Sequence, residues 1–282
     1  MKNFFVIANS SKAEAVSFQS KIKEYLEVKG AKCVLFSASN SSDGHIESKD
    51  VPSDSECVVV LGGDGTLLQA SIDLADIKIP FLGINLGTLG YLAAADKADI
   101  YHALDMMMAD DYIVEPRMMI YGNIVSSGKV ICDSRALNEI VITGSEPMQI
   151  VYLCVYVNGM FLHRYQADGV IVSTPTGSTG YNLSAGGPIV NPTANTMVLT
   201  PVSPHSMYNR GIVFSSDDSI RIDVEEDRYG KEQHMVAVFD GSKKVEIKTG
   251  DSITIRRSEK TTKIIKLKEE SFLETLHNKL EG

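Results

Sequence analysis

The sequence predicts two domains of different class. Residues 1–115 read as an α/β domain with an open, mainly parallel sheet. Residues 116–267 read as an all-β, sandwich-like domain, and 268–282 as a C-terminal helical tail. Three observations carry this expectation. Strand-length apolar runs alternate with helical spacing through the first hundred residues, which implies crossover connections and a parallel sheet. Near Pro116 the pattern changes to short runs separated by turn residues, as in antiparallel sandwiches. The length, 282 residues, suits two medium domains or one large one.

The elements follow in order. Residues 4–8 are apolar and form a first buried strand. Asn9, Ser10 and Ser11 offer capping oxygens to a helix over 13–28. Its Ala15, Phe18, Ile22, Tyr25 and Leu26 fall on one face, and Gly30 fits the C-terminal cap. A strand over 32–36 precedes a loop over 37–55 rich in Ser and Asp. Residues 57–61 are continuously apolar, which suits a parallel strand covered on both faces. That strand enters Gly62-Gly63-Asp64-Gly65-Thr66, with a helix starting at Thr66 and running to about Ala75. A strand over 79–84 ends at Asn85-Leu86-Gly87-Thr88-Leu89-Gly90-Tyr91. Met106, Met107 and Met108 lie at helical spacing beside Leu104 and read as core. In the second half, strands are expected over 119–124, 129–132, 138–142, 151–157, 169–173, 211–214, 219–224, 235–239, 244–247, 252–256 and 262–267. Asn158-Gly159 marks a tight hairpin. A closing helix is expected over 271–279.

Composition bounds the function. Hydrophobic residues make up 44% and charged residues 22%, so an ordinary core forms without staples. The net charge of −9 argues against a nucleic-acid binder, although a local anion site remains compatible with it. Cys33, Cys57, Cys132 and Cys154 sit in or beside apolar runs with no close pairing, so free thiols in a reducing, cytoplasmic compartment are expected. The first apolar run is too short for a signal-peptide core, and no stretch approaches a membrane span. The six histidines are scattered, which gives no zinc spacing. The Lys- and Arg-rich segment over 243–268 reads as the solvated faces of late strands.

Two blocks carry chemistry. In the first, a buried strand ends at three glycines around one carboxylate, and a helix begins. Glycines permit close backbone approach, and helix N–H groups favour an anion. The block is neither a Walker A loop nor the dinucleotide fingerprint. A carboxylate in a phosphate cradle needs a task. Asp64 fits as a cation holder or as the base for an attacking hydroxyl, and otherwise as a mere helix cap. The second block runs from Asp168 to Pro188 and is dense in glycines and small hydroxylated residues. It suits sugar hydroxyls, an adenine edge or phosphate oxygens, and Tyr181 offers a stacking surface.

These blocks stand in a fixed order with Gly83-Ile84-Asn85-Leu86-Gly87-Thr88-Leu89-Gly90-Tyr91-Leu92, Leu137-Asn138-Glu139-Ile140 and Leu199-Thr200-Pro201-Val202-Ser203-Pro204-His205-Ser206. In that order the sequence resembles bacterial NAD kinases over about residues 58–241. The glycine-Asp turn alone also occurs in diacylglycerol and sphingosine kinases and phosphofructokinases, whereas the Asp168 block is far more specific. The resemblance implies phosphoryl transfer from ATP, or from inorganic polyphosphate, to the 2′-hydroxyl of the adenosine ribose of NAD, with a divalent cation, usually magnesium (Mg2+). It implies that Asp64 engages that hydroxyl as base or metal partner, with Gly65 beside it. Asn138 would meet the adenine, Glu139 the ribose hydroxyls, and Tyr91 would pack near the adenine. Thr179, Gly180, Tyr181 and Ser184 would line the dinucleotide. Asp168 would reach it across a subunit interface of a homodimer or homotetramer, and Ser203 occupies a further contact position.

Three positions depart from the family pattern. Gly180 replaces a common alanine, Gln166 a common basic residue, and Ser242 a frequent glutamine after Phe239-Asp240-Gly241. His205 is a minor candidate for phosphate contact. The alternatives are a lipid kinase built on the same turn, which would need an acyl pocket, and a non-catalytic nucleotide sensor, which would have no need of the base.

Overall fold

The computed structural model describes residues 1–8, 13–36, 45–87, 90–205, 209–267, 272–273 and 276–277. The capping residues Asn9, Ser10 and Ser11 lie outside the described residues, as do 37–44 of the expected loop, Thr88, Leu89 and Ser206. Most of the expected tail over 268–282, with its helix, lies outside them too. No described helix is long and apolar enough to cross a membrane. The chain divides into two compact units, Met1–Arg117 with Thr261–Gly282, and Met118–Lys260.

The first unit alternates strand and helix: β1 (Asn3–Ala8), α1 (Ala13–Val28), β2 (Lys32–Leu35), β3 (Cys57–Gly62), α2 (Asp64–Asp73), β4 (Phe81–Asn85), β5 (Ala95–Asp96) and α3 (Ile100–Met108). The strands pair in the order β2-β1-β3-β4, all parallel, and β5 pairs parallel with β4. All six residues of β3 are buried, as a continuously apolar run requires when both sheet faces are covered. Ile22 and Leu26 of α1 and Ile100, Leu104 and Met107 of α3 pack with Phe4, Val6, Val59 and Leu61 in one core. Gly30 adopts φ +82°, and Ala31 N–H reaches Leu26 O at 2.9 Å, the expected C-terminal cap.

The second unit is antiparallel. Its strands are β6 (Ile113–Ser126), β7 (Lys129–Ala136), β8 (Glu139–Gly144), β9 (Val151–Val157), β10 (Met160–Ala167), β11 (Gly169–Ser173), β12 (Thr196–Val202), β13 (Ile212–Ser215), β14 (Ile220–Val224), β15 (His234–Phe239), β16 (Lys243–Lys248) and β17 (Ser252–Lys266). β6 and β17 each cross a unit boundary along the chain. One sheet runs β13-β12-β11-β8-β15-β16. Against it packs a second layer in which β10-β9-β14-β17 are neighbours and β6 pairs with β7. Inward residues of both layers, including Ile120, Ile142, Val170, Leu199, Ile222, Phe239 and Ile253, fill one core. The Asn158-Gly159 turn has φ of +52° and +81°, as a tight hairpin demands.

Several elements differ from expectation. The helix after the glycine turn starts at Asp64, with Gly63 as its N-terminal cap, two residues earlier than Thr66. β10 has no clean apolar alternation, because it pairs only with β9 and stands at an edge. β12 contains Pro201, which argues against a strand ladder. Pro201 lies opposite Val170 of β11, while β13 covers β12 only from Thr196 to Leu199, so the missing N–H falls beyond the covered part. The loop after β11 folds into a 3-10 turn, Thr176–Thr179, and a short helix α4, Tyr181–Ser184. Residues 261–266, expected with the β-rich domain, belong to the first unit, where Ile264 pairs with Phe81 of β4.

Candidate functional site

In the first unit, β3 delivers the chain to Gly62 and α2 begins at once. Asp64 stands in the first turn of that helix. It is not the capping residue: the N-terminal cap is Gly63, one position before it. Its carboxylate turns instead to the second glycine motif, where Oδ2 accepts Tyr91 N–H at 2.8 Å and Oδ1 accepts Leu92 N–H at 3.3 Å. Gly90 lies flat against this carboxylate, since a Cβ there would fall 2.0 Å from Asp64 Oδ1. Gly62 and Gly83 are glycines for packing: Cβ atoms there would meet Thr66 Oγ1 at 2.4 Å and Leu67 Cδ1 at 2.6 Å. Gly63 and Gly65 are different. Among the described residues a Cβ at either would meet nothing within 4 Å, so no described neighbour requires their smallness. They leave the helix start bare, where N–H groups attract an anion. Tyr91 is half-buried beside this turn.

In the second unit, β8 starts at Glu139 beside the end of β11, with Glu139 opposite Ser173. The loop after β11 lies directly on the Leu137–Glu139 backbone. Thr174 N–H donates to Asn138 O at 2.8 Å and Thr174 Oγ1 to Leu137 O at 2.5 Å. A Cβ at Gly177 would stand 2.2 Å from Asn138 O, so only glycine allows this approach. Asn182 braces the loop by donating to Ser178 O and Pro188 O and accepting from Thr200. Thr179 is half-buried, whereas Tyr181 and Ser184 are exposed. Gly180 faces Glu139, where an added Cβ would lie 3.2 Å from Glu139 Oε2.

Asp240, in the turn between β15 and β16, fixes this segment from the other side. Its carboxylate accepts three consecutive N–H groups: Leu137 at 2.6 Å, Asn138 at 2.8 Å and Glu139 at 2.9 Å. Desolvation pushes its carboxyl up to about 6 against the opposing pull of those N–H groups. Burial, and then the charge of Asp240, push the Glu139 carboxyl up to about 8. Asn138 Oδ1 and Glu139 Oε2 are buried atoms with no hydrogen-bond partner among the described residues. Such orphans are costly unless a ligand or water completes them.

The structure gathers Asn138, Glu139, Thr179 and Gly180 at one end of β11. It leaves Asp168 and Ser203 at the other end, where Gly169 pairs with Val202 and with Thr143. The six steps of extended chain from Asp168 to Thr174 span roughly 20 Å. Ser203 is exposed with φ +46°, and His205 is exposed, its N–H bonded to Gln166 O. Gln166 directs its amide to Tyr152 Oη at 2.8 Å, and Ser242 closes the β15–β16 turn on Phe239 O. Asp240 and Gly90 contact the candidate residues, and sequence reasoning did not single them out. The available signal was a lone acid between an apolar strand and Gly241, which otherwise reads as an ordinary turn.

No group of three or more His, Cys, Asp or Glu side chains that could hold a metal occurs among the described residues. Asp64 offers a single carboxylate. That donor set does not build a protein cage, but it fits a magnesium ion held mainly by substrate phosphates and water.

Residues 4–112 match the family model described as ATP-NAD kinase N-terminal domain, and 137–267 match ATP-NAD kinase C-terminal domain. Similar curated proteins include an NAD kinase of Agathobacter rectalis, 44% identical over 99% of both chains. Another is an NAD kinase of Lachnospira eligens, 41% identical over 99% of this chain and all of the relative. Among solved structures, an Archaeoglobus fulgidus NAD kinase in complex with ATP aligns with TM-score 0.79 at 26% identity, covering 99% of this chain and 98% of the other. Yeast NADH kinase complexed with NADH shares the fold at TM-score 0.87 and 22% identity, covering 100% and 88%.

Proposed function

The chain belongs to the NAD kinase family, and from that premise we propose how its own residues serve the transfer of a phosphoryl group to the 2′-hydroxyl of the adenosine ribose of NAD. The observation that carries the reading is the pair of buried, unpartnered atoms, Asn138 Oδ1 and Glu139 Oε2, beneath a glycine-laid loop. A nucleoside supplies the missing partners: the adenine amino group for Asn138 and ribose hydroxyls for Glu139. A Glu139 carboxyl that keeps its proton near neutral pH can donate as well as accept. Thr179, Gly180, Tyr181 and Ser184 border the dinucleotide, and Tyr91 packs toward its adenine.

Asp64 takes the proton of the 2′-hydroxyl as the bond from that oxygen to the terminal phosphorus forms and the bond from that phosphorus to the bridging oxygen breaks, releasing ADP or a shortened polyphosphate. Two backbone donors orient the carboxylate and leave acceptor capacity for the hydroxyl. Proton acceptance of this kind contributes roughly 10²–10⁴ in rate. The open backbone at Gly63 and Gly65 receives donor phosphate oxygens of ATP, or of polyphosphate. Neither glycine motif contains a lysine. Magnesium, when bound on the phosphates beside Asp64, neutralises their charge.

Asp168 and Ser203 stand at the far end of β11 from Glu139. Their place in the site is therefore taken in a neighbouring copy of a homodimer or homotetramer. One experiment tests both levels. Purified protein is incubated with NAD, ATP and magnesium, and NADP is measured for Asp64→Asn, for Asp168→Asn, and for the two refolded together. NADP from the unmodified protein, little from either variant and partial recovery in the mixture are expected. No NADP from the unmodified protein sinks the catalytic reading. Full activity of Asp168→Asn alone sinks only the intersubunit part.

A further inference from the structure

We propose that the second unit carries, on the outer face of β6, β7 and β17, a binding site for a small anion bearing several phosphate groups. The proposal is independent of the kinase site. Ile253 and Ile255 point into the core, as period-two alternation requires. The alternation then slips by one residue, so that Arg256 and Arg257 are both exposed before Ser258 is buried again. Such slips re-aim side chains, and proteins use them beside ligand sites. Lys260 N–H donates to Ser258 Oγ at 3.0 Å and holds the slipped segment.

The two guanidinium groups border a cavity of about 530 Å3 that is also lined by Tyr121, Arg135, Glu259 and Lys260. Tyr121 of β6 and Arg135 of β7 are directly paired across their strands. Four cationic side chains thus meet one carboxylate in a chain whose net charge is −9. Arg256 donates only to Ser219 Oγ, at 2.9 Å, and Arg257 only to Ser216 Oγ, at 3.5 Å; neither has an ion-pair partner among the described residues. Two guanidinium groups with no ion-pair partner, beside further cations in an acidic protein, attract an anion. Guanidinium forks match phosphate oxygens in pairs. The volume is that of a single small ligand. A long nucleic acid would instead meet the repulsion of the acidic remainder of the chain. Tyr121 offers a stacking face to a base. The shared chemistry, an oligophosphate, therefore comes from either an inorganic chain or a nucleoside triphosphate.

Hydrogen exchange on the full chain tests the site, because it reads residues 129–136 and 252–260 apart from the glycine turn. The probes are inorganic tripolyphosphate, ATP and a short RNA oligonucleotide. Protection of both segments by tripolyphosphate is expected, with affinity at least roughly tenfold weaker in the double variant Arg256→Gln, Arg257→Gln. The KM for ATP in NADP formation should meanwhile stay within about twofold. Tyr121→Leu separates the sources: weaker protection by ATP alone marks a nucleotide, and unchanged protection by both probes marks an inorganic chain. Absence of protection overturns the proposal, as do undiminished affinity in the double variant and protection by RNA at lower concentration than tripolyphosphate.

Discussion

Two carboxylates, Asp64 in the first unit and Asp240 in the second, each tie one motif to the backbone of another, yet they differ in how much of their capacity the fold consumes. Asp240 accepts three N–H groups at 2.6 to 2.9 Å, whereas Asp64 accepts two, one of them long at 3.3 Å. An ionised carboxylate has about four acceptor positions. Asp240 is therefore nearly saturated and works as a clamp, holding Asn138 and Glu139 in place. Asp64 is oriented but not consumed, which is what a group that must meet a substrate proton requires. The difference teaches that an acid beside a glycine is read by counting its backbone donors, since the two neighbourhoods look alike as sequence.

The largest expected break of this comparison is Asp64→Asn. Turnover should fall by roughly 10²–10⁴ while thermal stability changes by less than about 1 kcal/mol, because only two backbone bonds are altered. Steady-state NADP formation and a melting curve check both halves. Asp240→Asn should show the opposite balance. Asparagine tolerates the φ of +45° at this position, so the turn survives while a charged acceptor of three bonds is lost. A stability loss of about 1–3 kcal/mol, with KM for NAD raised more than kcat is lowered, is the expected outcome.

Glycines sharpen the contrast next. Gly90→Ala would press a methyl group into the Asp64 carboxylate, so it should cost about 1–3 kcal/mol and much of the activity. Gly65→Ala meets no neighbour among the described residues and should leave the melting temperature equal or higher, while still raising KM for ATP. Equal effects of the two on stability would contradict the distinction between packing glycines and ligand glycines.

The remaining expectation concerns pH dependence. Because burial raises the Glu139 carboxyl to about 8, the folded chain holds a proton there that the unfolded chain releases at lower pH. That contribution to stability is fully present below the ordinary carboxyl range and is lost as pH rises through about 8. Asp240, raised to about 6, adds a loss of the same sign at lower pH. Unfolding midpoints of Glu139→Gln should fall less steeply between pH 5 and about 8 than those of the unmodified protein.

Much of this was legible in the residues. The buried β3, the Asn158-Gly159 hairpin and the Gly30 cap each rest on local chemistry that the sequence states directly. β12 was not, because Pro201 disguises a strand whose neighbour happens to end before it. Of the proposed site, Asp64 and the Asn138-Glu139 pair were visible as motifs. The clamp was not, because Asp240 lies a hundred residues from the backbone it holds and only tertiary structure brings them together. The separation of Asp168 from Glu139 followed equally from strand register, which spacing in the chain does not reveal.

Calorimetric titration of NAD into Asp64→Asn and Asp240→Asn tests the division of labour most directly. Affinity within about threefold of the unmodified protein for Asp64→Asn is predicted, with affinity lowered roughly tenfold or more for Asp240→Asn. The reverse pattern, with binding lost at Asp64 and kept at Asp240, would contradict the assignment of one acid to chemistry and the other to holding the nucleoside.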